Sequence, residues 1–113
     1  GCYRGQKAFS RTEALWHFKE AAAIATRPFI YLSAGVSNAQ FTESLRMAAE
    51  SDADFSGVLC GRASWKDGIP IYARRGLNGF EDWLAPEGVS NIQAVNRSIA
   101  TATPWFKKLG ITV

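Results

Sequence analysis

Two short apolar runs constrain the fold of this chain more than any other feature. The first, FIYLS, covers Phe29–Ser33, and the second, FSGVLCG, covers Phe55–Gly61. Neither run alternates regularly between apolar and polar residues, so each predicts a strand covered on both faces, as in parallel sheets flanked by helices. Each run ends in small residues and leads into a helical pattern. The chain therefore reads as two successive strand–helix units.

Helix starts are marked by three capping-box patterns, in which a serine is followed three residues later by Glu or Gln. These patterns begin at Ser10, Ser37 and Ser90. The first helix should end near Thr26, before the restriction that Pro28 places on its neighbour. The third should run to about Ala102. Between the second and the third of these helices, a further helix through residues 71–75 should end at Gly76.

The alternation of helices and strands predicts an α/β fold with parallel strands and crossover helices. Two strands alone cannot form a sheet that is buried on both faces, so the apolar runs require neighbouring strands. We therefore expect residues 1–113 to be the C-terminal fragment of one larger domain rather than a self-contained fold.

The composition of the chain limits the classes of function that it can have. Hydrophobic residues are 47% and charged residues 20% of the chain, and the net charge is +3 with the basic residues scattered. This distribution does not favour a nucleic-acid partner, and no apolar run approaches the length of a membrane span. Cys2 and Cys60 have no metal-ligand spacing and predict reduced thiols. We expect a cytoplasmic protein with no metal, no cofactor and a small anionic partner.

The residues after the two strands are the candidate site. Ser33, Ala34 and Gly35 follow the first strand, and Gly61 and Arg62 follow the second. The carboxyl ends of parallel strands lie side by side, so the two loops should converge. Small residues let backbone N–H groups approach an anion, and arginine presents a planar fork that suits phosphate. The alternative is that these are ordinary turn residues beside a surface arginine.

Two other polar residues carry weaker functional signals. His17, the only histidine, lies within a helix between Trp16 and Phe18, and a helix-surface role is favoured over catalysis. Cys60 adjoins Gly61 and Arg62, but a strand-end thiol without a nearby histidine favours a structural role.

Three segments, FIYLSAGVSNAQF, FSGVLCGRASW and WL..EG..NI..VN......PW, resemble the C-terminal part of the tagatose 1,6-bisphosphate aldolase family. The resemblance implies a (β/α)8 TIM barrel, of which this chain would hold the last two βα units and the C-terminal helices. Ser33, Gly35, Gly61 and Arg62 match positions that hold a substrate phosphate in class I aldolases. Ala34 departs from the wider class I pattern, in which a second glycine often follows the serine.

The resemblance also implies chemistry. The family cleaves tagatose 1,6-bisphosphate to glycerone phosphate and glyceraldehyde 3-phosphate through a Schiff base between a lysine and the substrate ketone, without a metal. None of the five lysines directly follows a predicted strand, so the reactive lysine should lie outside this chain, which alone should be inactive. Two alternative functions stay open: a related aldolase that acts on a sulfonated sugar phosphate, and a non-enzymatic module that binds anions or oligomerises. The sequence is also compatible with a homo-oligomer.

Overall fold

The computed structural model describes residues 2–3 and 6–112, with side chains from Gln6 onward, and alternates short strands with helices. Its strands are β1 (Cys2–Tyr3), β2 (Gln6–Lys7), β3 (Tyr31–Leu32) and β4 (Val58–Leu59). Its helices are α1 (Arg11–Ala23), α2 (Asn38–Glu50), α3 (Arg62–Trp65), α4 (Ile69–Trp83), α5 (Val89–Ser98) and α6 (Trp105–Lys108). A 3-10 turn, Lys66–Gly68, joins α3 to α4, and a π-helical turn, Leu84–Gly88, joins α4 to α5.

Strands β3 and β4 pair in parallel, as the sequence predicts for consecutive strand–helix units. Tyr31 pairs with Val58 and Leu32 with Leu59. The regular strands are shorter than the predicted runs of Phe29–Ser33 and Phe55–Gly61. Backbone hydrogen bonds extend the pairing beyond them, because the Ser56 N–H donates to the Phe29 carbonyl at 2.8 Å. The mixed α/β class is therefore confirmed, and β1 and β2 add a small antiparallel pair at the start of the chain.

The described residues cover one face of the β3–β4 pair, and the expectation that further strands complete the sheet stays a prediction. Helices α1, α2 and α5 pack on one face, where Tyr31 and Val58 contact the core. On the other face Ile30, Leu32 and Leu59 are 50%, 59% and 63% exposed. The described residues place helices on a single side of the sheet, so the alternate side chains of each strand stay open to solvent.

The hydrophobic core lies between the strand pair and helices α2 and α5. Phe55 and Leu45 are its largest fully buried side chains. Tyr31 packs against the rings of Phe18, Phe29 and Phe55, with ring centroids 5.2 to 5.6 Å apart. Burial raises the pKa of the Tyr31 phenol, whose hydroxyl lacks a hydrogen-bond partner among the described residues. This core holds β3 and β4 together and so fixes where their carboxyl ends lie.

The first two predicted helix starts are confirmed. Ser10 accepts from the Glu13 N–H at 3.2 Å, and Ser37 accepts from the Gln40 N–H at 3.1 Å. In each case the Glu or Gln side chain returns a hydrogen bond to the serine, which completes the capping box. Helix α1 ends at Ala23, three residues before the predicted Thr26.

The third predicted helix start, at Ser90, is wrong. Helix α5 continues directly from the π-helical turn, so Ser90 lies inside a helix whose first residue, Val89, has no side-chain cap. The predicted break at Gly76 is present, because that residue has φ 66° and ψ −164° within α4. No helix in the described part of the chain is long and apolar enough to cross a bilayer.

Candidate functional site

The loop after β3 turns sharply at Ala34 and Gly35. Both residues have positive φ angles, 49° and 80°, and the Val36 N–H donates to the Ser33 carbonyl at 3.1 Å. Two positive φ angles inside such a hydrogen-bonded turn are the pattern of a type I′ turn. Glycine accepts this conformation freely, whereas alanine pays about 1–2 kcal/mol. Strain is therefore held at Ala34, where the wider class I pattern has glycine.

Several donors in this loop have no protein partner. Ser33 is 6% exposed, and its N–H donates to the Leu59 carbonyl at 3.2 Å, which ties the loop to β4. Within the range 6–112, the Ser33 hydroxyl and the N–H groups of Ala34 and Gly35 make no hydrogen bond to protein. The loop thus presents one hydroxyl and two backbone donors.

The loop after β4 consists of Gly61 and the start of α3. The Ser64 N–H and the Ser64 hydroxyl both donate to the Gly61 carbonyl at 2.9 Å. These two bonds fix Gly61 at the point where α3 begins. Arg62, the first residue of α3, is exposed. The second loop therefore contributes a cation on a short rigid turn.

The structure brings the two loops together at Gly35 and Arg62. A Cβ atom on Gly35 would lie 3.6 Å from the carbon and 3.6 Å from one nitrogen of the Arg62 guanidinium. A side chain at position 35 would therefore be in van der Waals contact with that guanidinium. All five residues singled out in the sequence thus belong to two adjoining loops, and an anion near Gly35 would be within reach of a fixed positive charge.

Lys66, one of the five lysines, also reaches this loop. Its Nζ donates to the Gly35 carbonyl at 2.9 Å, and the residue is half-buried. The spacing from Arg62 is four residues, which places both side chains on one side of the α3 turn. That spacing is the signal in the sequence that points to Lys66.

Comparison with known protein families bears on the same segment. Residues 5–67 match the family described as DeoC/LacD family aldolase, and this range includes both loops and Lys66. The chain belongs to the DeoC/LacD aldolase family. Membership implies a fold of the TIM-barrel type, which agrees with the parallel β3–β4 pair and its flanking helices.

Curated relatives carry a more specific name. A tagatose 1,6-diphosphate aldolase of Listeria monocytogenes serotype 4a is 39% identical over 97% of this chain and 33% of its own length. Tagatose 1,6-diphosphate aldolase 1 of Streptococcus pyogenes serotype M3 is 44% identical over 96% of this chain and 34% of its own length. The chain spans about a third of the length of the curated relatives that it matches.

In this DeoC/LacD family member, two hydrogen-bonded asparagine side chains connect helices α2 and α5 to the second loop. The Asn38 side-chain amide in α2 donates to the Asn91 carbonyl at 3.2 Å, and the Asn91 amide in α5 donates to the Ser64 carbonyl at 2.9 Å. Helix α5 is thereby linked both to the helix after the first loop and to the turn that carries Arg62. The sequence shows Asn91 only as part of the NI pair in the C-terminal pattern.

An apolar groove of about 460 Å³ borders the second loop. Cys60, Trp65, Leu84, Val89 and Ile92 line it. The Cys60 thiol is free and lies 3.4 Å from the Ser64 hydroxyl. The reduced state predicted for Cys60 is thus seen, and the same prediction for the Cys2 side chain lies outside the described residues. Trp65 closes the groove at the Gly61 side, 3.8 Å from where a Cβ on Gly61 would lie.

Residues set aside in the sequence stay apart from these loops. His17 is exposed on α1, with its ring 4.5 Å from that of Phe9 and 4.9 Å from that of Trp16. The described residues contain no cluster of three or more His, Cys, Asp or Glu side chains that is placed to hold a metal ion. What the two loops bring together is glycine backbone, the Arg62 guanidinium and the Lys66 ammonium group.

Proposed function

We propose that this chain forms the phosphate-binding end of a class I aldolase that cleaves tagatose 1,6-bisphosphate to glycerone phosphate and glyceraldehyde 3-phosphate. The observation that carries the proposal is the Arg62 guanidinium lying against Gly35, beside N–H donors that have no protein partner. Family membership supports the reaction class, and the names of the Listeria and Streptococcus relatives support the substrate.

The two loops suit a phosphate monoester on physical grounds. Arginine binds phosphate oxygens through charge-assisted hydrogen bonds, and the N–H groups of Ala34 and Gly35 supply uncharged donors at close range. Helix α2, of 13 residues, begins at Asn38 just beyond the first loop and adds the partial positive charge of its N-terminus. Holding the phosphate in this corner would fix the position of the substrate ketone relative to the reactive amine.

The reactive amine is assigned to a part of the protein outside these residues. In this chemistry a lysine condenses with the ketone and releases water, and the protonated imine accepts the electron pair of the cleaved carbon–carbon bond. Such a lysine needs a dry pocket at a strand end. Lys7, Lys19 and Lys107 are exposed, and Lys108 pairs with Asp54. Lys66 follows α3 rather than a strand and is bonded to Gly35.

The open face of the strand pair fits the interior of a (β/α)8 barrel. In such a barrel every second residue of a strand points inward and packs against side chains from other strands. Ile30, Leu32 and Leu59 would occupy these inward positions, whereas Tyr31 and Val58 face the helices. On this basis β3 and β4 would be the seventh and eighth barrel strands.

Borohydride trapping tests the reaction class. The full-length protein that carries this sequence is incubated with glycerone phosphate and sodium borohydride, and the modified lysine is located by peptide mass spectrometry. We expect one reduced adduct on a lysine outside residues 1–113. No adduct under conditions where a known class I aldolase is trapped would remove the Schiff-base mechanism, and an adduct on one of the five lysines here would overturn its placement.

Arg62→Ala tests the phosphate site itself. Loss of its charge-assisted hydrogen bonds should weaken the substrate interaction by about 1.5–3 kcal/mol, roughly a 10- to 150-fold drop in kcat/KM. Arg74→Ala, which removes an exposed arginine on α4, is the matched control and should leave kcat/KM unchanged. If both variants match the wild type, Arg62 does not bind substrate. Faster turnover of a sulfonated sugar phosphate than of tagatose 1,6-bisphosphate would favour the related sulfosugar aldolase.

A further inference from the structure

The Lys66 side chain lies where it could contact a ligand bound at the first loop. It opens the 3-10 turn that follows α3, and its ammonium group reaches back across 31 residues of sequence to the Gly35 carbonyl. Arg62, in the preceding helix α3, lies beside the same glycine, since its guanidinium carbon is 3.6 Å from the Cβ position of Gly35. One residue of the first loop is therefore contacted by two cations of the second.

The charges beside Gly35 are both positive. In residues 6–112, four Lys or Arg side chains form ion pairs with carboxylates: Arg11, Arg46, Arg75 and Lys108. Within the same range neither Arg62 nor Lys66 forms an ion pair. Two like charges that converge without a counter-charge repel each other, and an anion bound between them would relieve that repulsion.

The Lys66 ammonium group also has N–H donors that the Gly35 carbonyl does not use. A lysine carries three N–H donors, and only one is used by the Gly35 carbonyl. The other two remain for oxygens of a ligand beside Gly35. A half-buried lysine held by a backbone carbonyl is already positioned, so less side-chain freedom is lost when a ligand binds.

We propose that Lys66 is the second cation of the anion site and that it selects a phosphate monoester dianion over a singly charged anion such as a sulfonate. The inference rests on the proposed phosphate site and adds to it a residue that contacts the ligand. Arg62 alone supplies one full charge to a group that carries nearly two, and Lys66 supplies the other.

The test is calorimetric titration of the full-length protein with inorganic phosphate at pH 8, where the dianion dominates, and with methanesulfonate, a monoanion of similar size. Lys66→Gln should raise the phosphate Kd about tenfold or more and the methanesulfonate Kd much less, whereas Lys66→Arg should restore the phosphate preference. Lys107→Gln, an exposed lysine on α6, is the matched control and should change neither Kd.

The possible outcomes distinguish the role of Lys66 from the proposed phosphate site itself. If Lys66→Gln weakens both anions by the same factor, Lys66 only tethers the loop and the inference is wrong. If Lys66→Gln binds phosphate as tightly as the wild type while Arg62→Ala does not, the site stands without Lys66. If the wild type binds no phosphate, or Arg62→Ala binds it unchanged, the proposed phosphate site itself fails.

Discussion

At the scale of single residues, Gly35 is the position on which the site depends most. Its φ of 80° suits glycine, and a Cβ atom there would lie 3.6 Å from the Arg62 guanidinium, in van der Waals contact. Neighbouring Ala34 already holds a positive φ with a side chain present. The loop therefore combines one strained residue with a glycine whose backbone conformation disfavours any side chain.

Gly35→Ala should reduce stability by about 1–2 kcal/mol, because an alanine is strained at a φ of 80°. It should also weaken phosphate binding, because the methyl group would lie between the Arg62 guanidinium and an anion at this loop. Gly76→Ala is the matched control, since Gly76 has a φ of 66° and no neighbouring atom within 4 Å of its Cβ position. Its cost in stability should be at least as large, because φ 66° with ψ −164° is almost confined to glycine, and its binding should be unchanged. Urea unfolding and phosphate titration of both variants provide the measurement. Equal binding by the two variants would show that Gly35 is not at the site.

Side-chain ionisation offers a second test at this scale. A hydrogen bond from Arg11 holds the pKa of the Glu43 carboxyl below its ordinary value of 4.5. The folded state thus favours the ionised form, so Glu43 stabilises the protein above pH 4.5, and this contribution is lost as pH falls through the lower folded pKa.

Glu43→Gln should therefore be less stable than the wild type at pH 7, and the difference should shrink progressively below pH 4.5. Glu20→Gln, an exposed carboxylate on α1, is the control and should show a smaller difference at pH 7. Thermal unfolding from pH 7 to pH 3 measures both. A difference for Glu43→Gln that stays constant with pH would contradict the ionic origin.

At the scale of secondary-structure elements, identical sequence patterns have different outcomes. Ser37 and Ser90 are each followed three residues later by Gln, yet only Ser37 caps a helix. The residues before Ser37 form a turn with positive φ, which leaves the first N–H groups of α2 in need of acceptors. The residues before Ser90 are already helical, so its backbone has partners and no cap is required.

Ser37→Ala should lower the free energy of unfolding by about 1 kcal/mol, the usual cost of losing an N-cap. Ser90→Ala should change it by less than about 0.5 kcal/mol, as is typical of an exposed helix position. Urea denaturation of the two variants makes a matched comparison. Equal losses for both serines would mean that the sequence pattern, and not the structural context, determines capping.

The two serines also illustrate which parts of the fold and of the site can be predicted from the sequence. Ser10 and Ser37, the parallel order of the strands and the break at Gly76 follow from local patterns, and the structure confirms them. The helical setting of Ser90 does not, because a capping pattern does not reveal whether the preceding backbone is already helical. Lys66 was missed because its contact with Gly35 joins residues far apart in sequence. Asn91 was missed for the same reason.

At the scale of the whole molecule, the chain is flat. Its extents are 47 × 42 × 17 Å and its radius of gyration is 16.2 Å, whereas a compact domain of 113 residues has about 13 Å. Its accessible surface is 7780 Å², against about 6100 Å² for a typical folded monomer of this mass. Both values support the proposal that the open strand face packs against further parts of a barrel.

Leu59→Ala tests that packing. In the 113-residue chain alone, an exposed Leu59 should cost less than about 0.5 kcal/mol. In the full-length protein the same truncation should cost about 2–5 kcal/mol, because the side chain would lie inside a barrel. Leu45→Ala, which truncates a core side chain, should be costly in both. Similar small costs for Leu59→Ala in both forms would contradict a barrel interior at this face.

The most direct measurement is a crystal structure of the full-length protein with glycerone phosphate bound. We predict that the phosphate lies between the two loops, within hydrogen-bonding distance of the Arg62 guanidinium and the Gly35 N–H, with Lys66 on the same anion. A phosphate bound at any other place, with the loop after β3 and Arg62 both free of ligand, would contradict the phosphate site.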